Sequence, residues 1–406
     1  MSRAGQQLRL NAFLMPTGHH VAGWRHPQAQ ADGGSNIDHY LALARTAEQG
    51  GFDAIFLSDT LAMLPGSTDA LSRMARTEHF EPLTLLAALA ANTQRIGLIA
   101  TVTTSYNQVA DVAASFASLH AISGGRCGWN LVTSSNAREA FNFGRDQHYA
   151  HAERYRQAEY FHAQVAEQLT QQGAQPVQVL AGDSEAGRAF AARHAEVLFT
   201  AQPTLDGARG FYRDVKARLA QHGRHTDSLK IMPGILPIIG RSRAEAEDRH
   251  GLLQDLLQPE VGLSLLSDVA GGTDLSAYPL DGPLPELPLT ESGRSRQQLL
   301  VDVARAENLS IRQLYQRIAT ARGHLSVVGT GADVADVLQH WFEQHAADGF
   351  NVMPPWLPGG LDDFVATVIP ELQRRGLFRS HFTGRTLREH LGLAAHPLQH
   401  KESVHG

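Results

Sequence analysis

The most constraining feature of the sequence is a regular alternation of short β-rich runs with longer helical patterns over nearly the whole chain. Eight runs have the length and apolar content of buried strands. They are LRLNAFLM, FDAIFLSD, RIGLIATVTT, CGWNLVT, PVQVLAG, AEVLFTA, LKIMPGILPII and GFNVMPP. Helical patterns follow them, for example NIDHYLALARTAEQGG, which has an Asn at its start and a Gly pair at its end. This alternation predicts an α/β protein whose parallel sheet closes into a (β/α)8 TIM barrel.

A doubly wound open sheet shares this alternation, and the length of 406 residues alone does not decide between the two folds. An open sheet of this size would normally divide into two domains, but no linker-like shift in composition divides the chain. We therefore predict a single barrel domain over residues 1–406. Two segments depart from the repeat, Leu61 to His79 and residues 260–310, and the second is rich in Gly and Pro with little periodicity. Long irregular connections are usually functional, so we predict a lid-like insertion at about 260–310.

Composition excludes several classes of protein. A hydrophobic fraction of 43% with 19% charged residues is typical of a globular protein rather than a disordered one. The formal charge of −6, without any basic run, argues against a nucleic-acid partner. Cys127 is the only cysteine, which favours a reducing compartment. The first apolar run is interrupted at Pro16 and is too short for a signal peptide or a membrane span, so we expect a cytoplasmic protein without a membrane partner.

In a TIM barrel the functional groups lie at the carboxyl ends of the strands. Most residues at these positions can form hydrogen bonds, and no paired carboxylates occur among them. In chain order they are Pro16 with His19 and His20, Asp59, Thr103 with Thr104 and Ser105, Asn130 with Thr133 and Ser134, Gly182 with Asp183 and Ser184, and Met353 with Pro354. An amide is unusual inside a strand, because a buried amide without a partner costs free energy. Asn130 therefore belongs to a ring of polar groups suited to a large neutral or anionic ligand.

Two local patterns suggest a phosphate site, and each has a simpler alternative. In LAGDSEAGR a strand ends in Gly182-Asp183-Ser184 and a helix begins at once, so amides at the helix start could hold a phosphate. The alternative is a plain N-cap at Asp183 or Ser184. In HAERYRQAEYF, His151 and Tyr155 share one helix face near its start, where an anion would be stabilised. An exposed His beside a packed Tyr explains the spacing equally well.

Three other motifs are rejected. GDSEAG differs from the G-x-S-x-G elbow of serine hydrolases, since its second glycine comes one residue late. SVVGTGADVADVL places G-x-G between a strand-like run and a helix, but the third glycine of the dinucleotide fingerprint is absent. The 21 histidines include the pairs His148 with His151 and His222 with His225. Without an H-E-x-x-H motif or a second thiol, we predict no metal site.

Several segments together resemble the nitrilotriacetate monooxygenase family. They are LNAFLMPTGHHVAGWRHP, GFDAIFLSDT, SGGRCGWNLVTS, NFG, HAERYRQAEYF, AGDSEAGR, DGFNVMPP and VIPELQRRGLFR. This family is the branch of the bacterial luciferase-like flavin monooxygenases that also contains the sulfone, EDTA and long-chain alkane monooxygenases. The resemblance extends from about Leu8 to Leu393, and the set of motifs is highly specific although no single one is decisive.

The resemblance implies a TIM barrel that binds FMN and receives it reduced from a separate NAD(P)H:flavin reductase. Asp59 and Thr103, with Thr104 beside it, would lie along the isoalloxazine and ribityl groups. Asn130 would contact the ring. The phosphate would be held by His151, Tyr155 and the turn of Gly182, Asp183 and Ser184.

The implied activity is that of a two-component monooxygenase, which uses reduced FMN and dioxygen to transfer one oxygen atom to a small organic substrate. Xenobiotic or catabolic amines, sulfones and thioethers are the expected substrates. The sequence identifies no catalytic acid or base, and the candidates are His20, Asn130 and His324. We expect a homo-oligomer, either a dimer or a tetramer. Two alternatives remain, namely an enzyme that uses reduced flavin and oxygen to cleave a substrate or a flavin, and a barrel that binds flavin without turnover.

The chain departs from the family at one connection. The family usually places a sizeable insertion, ending in a β-hairpin, between the fourth helix and the fifth strand. Here EQLTQQGAQPVQVLAG passes from helix to strand within a few residues, at about 169–177. Either this member has lost that insertion, which would change the substrate entrance on that side, or the corresponding residues are missing from the sequence.

Overall fold

A computed structural model of the chain describes residues 3, 5–63, 66–75, 77–288 and 294–394, with only the backbone at 294–296 and 299. Its strands form one parallel sheet. They are β1 (Arg9–Leu14), β2 (Ala54–Leu57), β3 (Gly97–Thr103), β4 (Cys127–Val132), β5 (Val177–Ala181), β6 (Val197–Thr200), β7 (Lys230–Ile239), β8 (Leu325–Gly329) and β9 (Gly349–Val352).

The barrel closes through eight of these strands. Strands β1 to β6 pair in chain order, β6 pairs with β7, β7 with β9, and β9 with β1. All eight strand runs identified in the sequence contribute to this ring, and the prediction of a (β/α)8 TIM barrel is confirmed. β3 shows why the sequence signal was strong, since every one of its residues is buried. Strands covered on both faces appear as continuous apolar runs.

Strand β7 is ten residues long and serves two purposes. Its first part forms the barrel wall, with Thr200 of β6 opposite Pro233 and Asn351 of β9 opposite Gly234. Its second part, Ile235–Ile239, pairs with β8 along Leu325–Gly329, and only Ile235 of this part still pairs with β9, at Val352. The sequence indicated β8 only as a strand-like run, because several of its residues are partly exposed and its apolar pattern is weak.

Helices surround the barrel. They are α1 (Ile37–Gln49), α2 (Thr68–Ser72), α3 (Pro82–Asn92), α4 (Val109–Ser123), α5 (Glu139–Asn142), α6 (His151–Gln171), α7 (Glu185–His194), α8 (Leu205–Gln221), α9 (Arg243–Asp255), α10 (Pro259–Val269), α11 (Arg294–Ala306), α12 (Ile311–Ala321), α13 (Gly331–Glu343), α14 (Gly359–Asp363), α15 (Ile369–Arg374) and α16 (Leu387–Leu391). The start of α1 follows its sequence signal, since the Asn36 side chain accepts a hydrogen bond from the His39 amide at 3.1 Å. Within the described parts of the chain, no helix is long and apolar enough to cross a membrane.

The segment between β7 and β8 is more helical than its sequence suggested. The region at about 260–310 contains most of α10 and all of α11, where we had predicted a long irregular connection. Gly and Pro are concentrated at residues 270–288, between these two helices, and they obscured the helical periodicity on either side. Residues 289–293 of the predicted lid lie outside the described residues, as do both ends of the predicted domain.

This inserted segment has its own apolar cluster. Leu266, Leu275, Leu314 and Tyr315 are buried within it, and Val21 from the loop after β1 belongs to the same cluster. The Val21 amide also donates a hydrogen bond to the Ala319 carbonyl near the end of α12 at 3.3 Å. The insertion is therefore packed against the carboxyl end of β1, at the face where ligands bind in such barrels.

Adjacent residues of β4 point to opposite sides of the sheet. Trp129 packs outward against Phe116 of α4 and Phe161 of α6, with ring centroids 5.7 and 6.4 Å apart. Its Nε1 donates to the Val102 carbonyl at 3.2 Å. Since side chains alternate along a strand, Asn130 points into the barrel.

Candidate active site

Three phenylalanines line the interior of the barrel near its carboxyl end. Phe13 of β1 stacks on Phe56 of β2 with centroids 4.6 Å apart, and Phe199 of β6 meets both rings edge-on at 5.2 and 5.7 Å. All three side chains are buried. Together they form an aromatic floor beneath the polar groups at the strand ends, and a flat conjugated ligand could pack against such a surface.

Asn130 has an unused hydrogen-bond acceptor inside this barrel. Its Nδ2 donates to Thr101 Oγ1 at 2.8 Å, and the Thr101 hydroxyl donates to the Leu57 carbonyl at 2.8 Å. Its Oδ1 is buried and has no hydrogen-bond partner within the protein. Leaving a buried carbonyl unpaired costs about 1–3 kcal/mol, and an N–H or O–H of a ligand would remove that cost. The residue present therefore fits a ligand that carries a hydrogen-bond donor.

His324 lies against the aromatic floor. Its ring is 5.1 Å from that of Phe199 with an angle of 4° between the planes, and its Nδ1 is buried without a hydrogen-bond partner. Burial, reinforced by the nearby charge of Arg322, lowers the pKa of His324 to about 4, so the imidazole is neutral at pH 7. The ring fits because residue 234 is a glycine. A Cβ at Gly234 would lie only 2.4 Å from His324 Nδ1.

Of the two histidines after β1, His19 contacts the aromatic floor. Its ring centroid is 4.6 Å from that of Phe13. Its Nδ1 lies 2.8 Å from Arg322 Nη2, and its Nε2 lies 2.8 Å from the Phe13 carbonyl. His20, the catalytic candidate from the sequence, is buried, and its Nδ1 accepts from the Ala22 amide at 3.1 Å within the same turn.

A polar network joins the ends of β2, β3 and β4. Thr103 Oγ1 lies 2.8 Å from Ser134 Oγ, and the Ser134 hydroxyl donates to the carboxylate of Glu139. Thr60 Oγ1 lies 3.3 Å from the other oxygen of that carboxylate. Because the Ser134 proton is engaged by Glu139, the Thr103 hydroxyl donates to Ser134 and can only accept from a ligand. Glu139 is buried and was missed in the sequence, where NAREAFNFG carries no chemical motif.

Asp59 and Thr104 do not join this network. Asp59 Oδ1 accepts from the Thr60 amide at 2.8 Å and lies 3.4 Å from His79 Nε2, and this hydrogen bond raises the pKa of His79. Thr104 follows Thr103 on the strand and so points the other way. It lines a cleft of about 370 Å³ between the start of α4 and α6, with Val109 and Tyr160 among its neighbours. The structure thus separates two threonines that the sequence had grouped.

The predicted phosphate residues meet at the start of α7. The hydroxyl oxygen of Tyr155 is 3.3 Å from Ser184 Oγ, and the ring of His151 is 5.1 Å from that of Tyr155. Ser184 is also the N-cap of α7, because its Oγ accepts from the Gly187 amide at 3.1 Å. A Cβ at Gly187 would lie 3.1 Å from both hydroxyl oxygens, so glycine keeps this corner open. The N-cap interpretation is confirmed for Ser184, and the phosphate site stays a prediction.

The other two residues of this turn, Gly182 and Asp183, differ in their contacts and in their exposure to solvent. Asp183 accepts a hydrogen bond from the hydroxyl of Thr200 at the end of β6, which directs its carboxylate towards β6. Gly182 adopts φ 153°, a backbone conformation that favours glycine, and it is half-buried beside the exposed Asp183 and Ser184. The turn is therefore open to solvent and accessible to an anion.

The rejected motifs have structural explanations. Thr330 in SVVGTGADVADVL caps α13 and forms a capping box with Asp333, whose carboxylate accepts from the Thr330 amide at 2.9 Å. That helix start is already satisfied by side chains. His148 Nδ1 lies 2.5 Å from the Tyr106 hydroxyl. Across the described residues, no group of three or more His, Cys, Asp or Glu side chains is placed to hold a metal ion.

With this geometry in place, comparison with known proteins identifies the family. Residues 15–348 match the model of the luciferase-like monooxygenase family. The chain belongs to this family and is a flavin-dependent monooxygenase in class.

Its relatives include nitrilotriacetate monooxygenase component A of Aminobacter aminovorans, which is 42% identical over 96% of this chain and 97% of that protein. N-acetyl-S-(2-succino)cysteine monooxygenase of Bacillus subtilis is 42% identical over 97% and 98%. A solved riboflavin lyase, with modified FMN and its substrate riboflavin, is 28% identical with a TM-score of 0.83 and covers 97% of this chain and 99% of that one. The predicted resemblance to the nitrilotriacetate monooxygenase family is confirmed.

The relatives are longer than this chain at some points. The alignment with the component A protein extends over 441 positions, more than the 406 residues present here. In the structure, α6 ends at Gln171 and β5 begins at Val177, so only residues 172–176 connect them. This short connection agrees with the departure from the family that the sequence indicated.

Proposed function

We propose that this protein is a two-component monooxygenase that receives reduced FMN from a separate NAD(P)H:flavin reductase and uses dioxygen to oxygenate a small organic substrate. The observation that carries the proposal is the buried, unpaired Oδ1 of Asn130 at the mouth of a luciferase-like barrel. An acceptor in that position suits an N–H donor of a flavin ring. The nearby aromatic floor of Phe13, Phe56 and Phe199 supplies the apolar surroundings that a ring system needs.

The phosphate of FMN would be held at the start of α7. Tyr155 and Ser184 supply hydroxyl groups there, and His151 lies beside Tyr155. The turn of Gly182 and Asp183 leads into the helix, whose N-terminal amides carry partial positive charge. Hydrogen bonds to a charged phosphate are stronger than neutral ones, so this corner would contribute much of the affinity.

Thr103 would accept a hydrogen bond from the ribityl chain or the ring, since its own proton is directed to Ser134. Asp59 is hydrogen-bonded to His79 and to the Thr60 amide, and it would lie at the edge of the flavin site. Thr104 lines the outer cleft, and its part would be limited to positioning Thr103.

Bound reduced flavin supplies the activation of dioxygen, and the chain orients the cofactor and excludes water. His324, neutral at pH 7 and stacked on Phe199, can hold or pass a proton at Nδ1. Among the three catalytic candidates, we favour His324 for this reason. His20 is engaged by the Ala22 amide, and Asn130 has no titratable proton.

The proposal is tested by anaerobic titration with reduced FMN and, separately, with NADPH. Reduced FMN should bind more tightly, because no complete dinucleotide fingerprint is present. Mixing the reduced complex with oxygen should then give a transient absorbance different from that of oxidised FMN. Tight NADPH binding with hydride transfer by the isolated chain would refute the two-component assignment.

Similarity to a riboflavin lyase supports a second candidate, in which reduced flavin and oxygen are used to cleave a substrate or a flavin. Product analysis after turnover in labelled dioxygen distinguishes the two. One labelled oxygen in an otherwise intact substrate indicates oxygenation, whereas fragments indicate cleavage. Absence of any turnover with a reductase and oxygen would instead favour a barrel that only binds flavin.

A further inference from the structure

Arg322 reaches the mouth of the barrel from the inserted segment. Arg322 follows the last residue of α12 and adopts φ 49°, with Gly323 next at φ 86°, so the chain turns sharply at this point. Arg322 Nη2 lies 2.8 Å from Nδ1 of His19, whose ring contacts Phe13 of the aromatic floor. Two residues later, His324 stacks on Phe199. The guanidinium therefore lies beside the loop after β1, whereas His324 contacts the end of β6.

His19, the hydrogen-bond partner of Arg322, orients the guanidinium without neutralising its charge. A guanidinium can only donate hydrogen bonds, so Nδ1 of His19 is the acceptor. The other ring nitrogen, Nε2, must then carry the proton that is donated to the Phe13 carbonyl. His19 is thus held as the neutral tautomer, and it fixes the direction of the guanidinium while leaving the positive charge in place.

No carboxylate among the described residues is paired with Arg322. The contrast with other arginines is clear, since Arg379 is paired with Asp53 and Arg388 with Glu196. Arg322 is exposed to solvent, and desolvation by nearby protein atoms lowers its pKa to about 10, so the guanidinium is still protonated at neutral pH. Only one of its five N–H groups is needed for His19, which leaves donors for a ligand.

The position of Arg322 separates it from the predicted phosphate turn. In the closed ring β1 and β5 lie on opposite sides, because the strands run β1 to β6 and then β7 and β9. The Ser184 turn follows β5, whereas Arg322 is bonded to the loop after β1. Once FMN has its phosphate at the Ser184 turn, a second anion site remains on the far side of the mouth.

We propose that Arg322 binds a carboxylate group of the organic substrate and so selects anionic substrates. This inference rests on the proposed function for the identity of the reaction, although the anion site itself does not depend on it. The planar fork of a guanidinium matches the two oxygens of a carboxylate, which gives a directed pair rather than a diffuse attraction. The substrate atom to be oxygenated would then be held between the carboxylate at Arg322 and the flavin above Asn130.

The test compares matched anionic and neutral probes on the full-length protein, with and without oxidised FMN. Binding of succinate, citrate and nitrilotriacetate is measured by titration calorimetry, and succinamide serves as the neutral counterpart of succinate. The variants are Arg322→Gln and Arg322→Lys. Arg241→Gln is the control, because the side chain of Arg241 is 91% exposed and lies outside the mouth. FMN affinity of each variant is measured separately by flavin fluorescence.

We expect at least one of the carboxylates to bind more tightly than succinamide. Its Kd should rise about tenfold or more in Arg322→Gln and less in Arg322→Lys, which keeps the charge but not the fork. Arg241→Gln should bind as the unmodified protein does, and FMN affinity should stay within about twofold in all variants, since Arg322 lies away from the phosphate turn.

Three results would overturn the inference. The carboxylates could bind no better than succinamide, their binding could survive Arg322→Gln, or FMN affinity could fall in parallel, which would assign Arg322 to the flavin. Failure of the proposed function gives a different pattern. In that case reduced FMN would not bind to the unmodified protein, while carboxylate binding that depends on Arg322 would persist and support the anion site.

Discussion

The hydroxyl oxygens of Tyr155 and Ser184 are 3.3 Å apart, although one residue lies in α6 and the other immediately precedes α7. The two helices follow different barrel strands, and this contact joins them at the face where ligands bind. The ring of Tyr155 also contacts the edge of Phe190 in α7, with ring centroids 6.3 Å apart. A phosphate in this corner would receive hydrogen bonds from two separate elements.

We predict that Tyr155→Phe and Ser184→Ala each weaken FMN binding by about 1–2 kcal/mol, the scale of losing a hydrogen bond to a charged group. The two changes differ in their effect on the apoprotein. Tyr155→Phe should leave its unfolding free energy nearly unchanged. Ser184→Ala should lower that free energy by about 1 kcal/mol, because the N-cap of α7 is also lost. Fluorescence titration and urea unfolding measure the two quantities.

Ser242→Ala is the matched control for the cap. Ser242 caps α9 in the same way, with its side chain accepting from the Glu245 amide at 3.2 Å. This variant should lose similar stability and keep full FMN affinity. Unchanged flavin affinity in both Tyr155→Phe and Ser184→Ala would move the phosphate site elsewhere.

Asn130→Ala is predicted to leave the melting temperature of the apoprotein nearly unchanged. The variant loses the hydrogen bond to Thr101 but also removes the unpaired buried Oδ1, and these effects oppose one another. The stabilisation that FMN confers by mass action should decrease, because the ring loses its acceptor. Thermal melts with and without FMN measure both quantities.

Thr101→Val is the counterpart of that experiment. It removes the internal partner of Asn130 while leaving the amide in place. We expect the apoprotein to melt earlier and the shift caused by FMN to persist. If Asn130→Ala shows this pattern instead, the asparagine has a structural role only.

Gly234→Ala should displace His324 from Phe199. The new Cβ would lie 2.4 Å from His324 Nδ1 and 2.7 Å from Met353 Sδ, closer than packed atoms tolerate. Overpacking of this kind costs about 1–3 kcal/mol of stability. Turnover should fall more than FMN affinity does if His324 handles a proton. Gly251→Ala, at a position in α9 with open space around it, should be neutral or slightly stabilising, and equal loss in both variants would exclude a specific clash.

Acid should destabilise the apoprotein between about pH 6.5 and pH 4 through His324 and His162. Burial lowers the pKa of each to about 4 from an ordinary value of 6.5. Within this window the unfolded chain binds protons that the folded protein does not, so the free energy of unfolding decreases as the pH falls. Above pH 6.5 both groups are neutral in either state and their contribution is constant.

Urea unfolding at several pH values measures this slope. His162→Gln and His324→Gln should each make it shallower, and the double variant more so because the two residues are separate sites. His222→Gln, at an exposed position after α8, is the control. An identical slope in the double variant would mean that neither histidine is buried as described.

The sequence predicted the barrel because its wall strands are buried on both faces and appear as continuous apolar runs, as in β3. It indicated β8, whose residues are partly exposed, only as a strand-like run, and it missed α11, which lies beside a stretch rich in Gly and Pro. β8 and α11 are stabilised mainly by tertiary packing, and a local sequence pattern does not reveal contacts of that kind.

Site residues could be predicted only where they form part of a local motif. Tyr155 and Ser184 lie in recognisable segments, and the structure brings them together. Strand alternation could have separated Thr104 from Thr103, since neighbours on a strand face opposite ways. Glu139 and Arg322 have no such signal. Arg322 is 303 residues from His19 in the sequence, and only the closed barrel makes them neighbours.

The division of β7 into a wall segment and an outer segment has an evolutionary consequence. Pairing of its outer part with β8 fixes the stretch that immediately precedes β8, which contains Arg322 and His324. Tyr155 and Ser184 belong to a different part of the chain, in the segments that follow β4 and β5. Mutations between α12 and β8 can therefore accumulate without disturbing the corner at α7. A descendant of this protein could acquire a different substrate preference by changes in a few residues before β8, while the proposed phosphate corner at α7 is inherited unchanged.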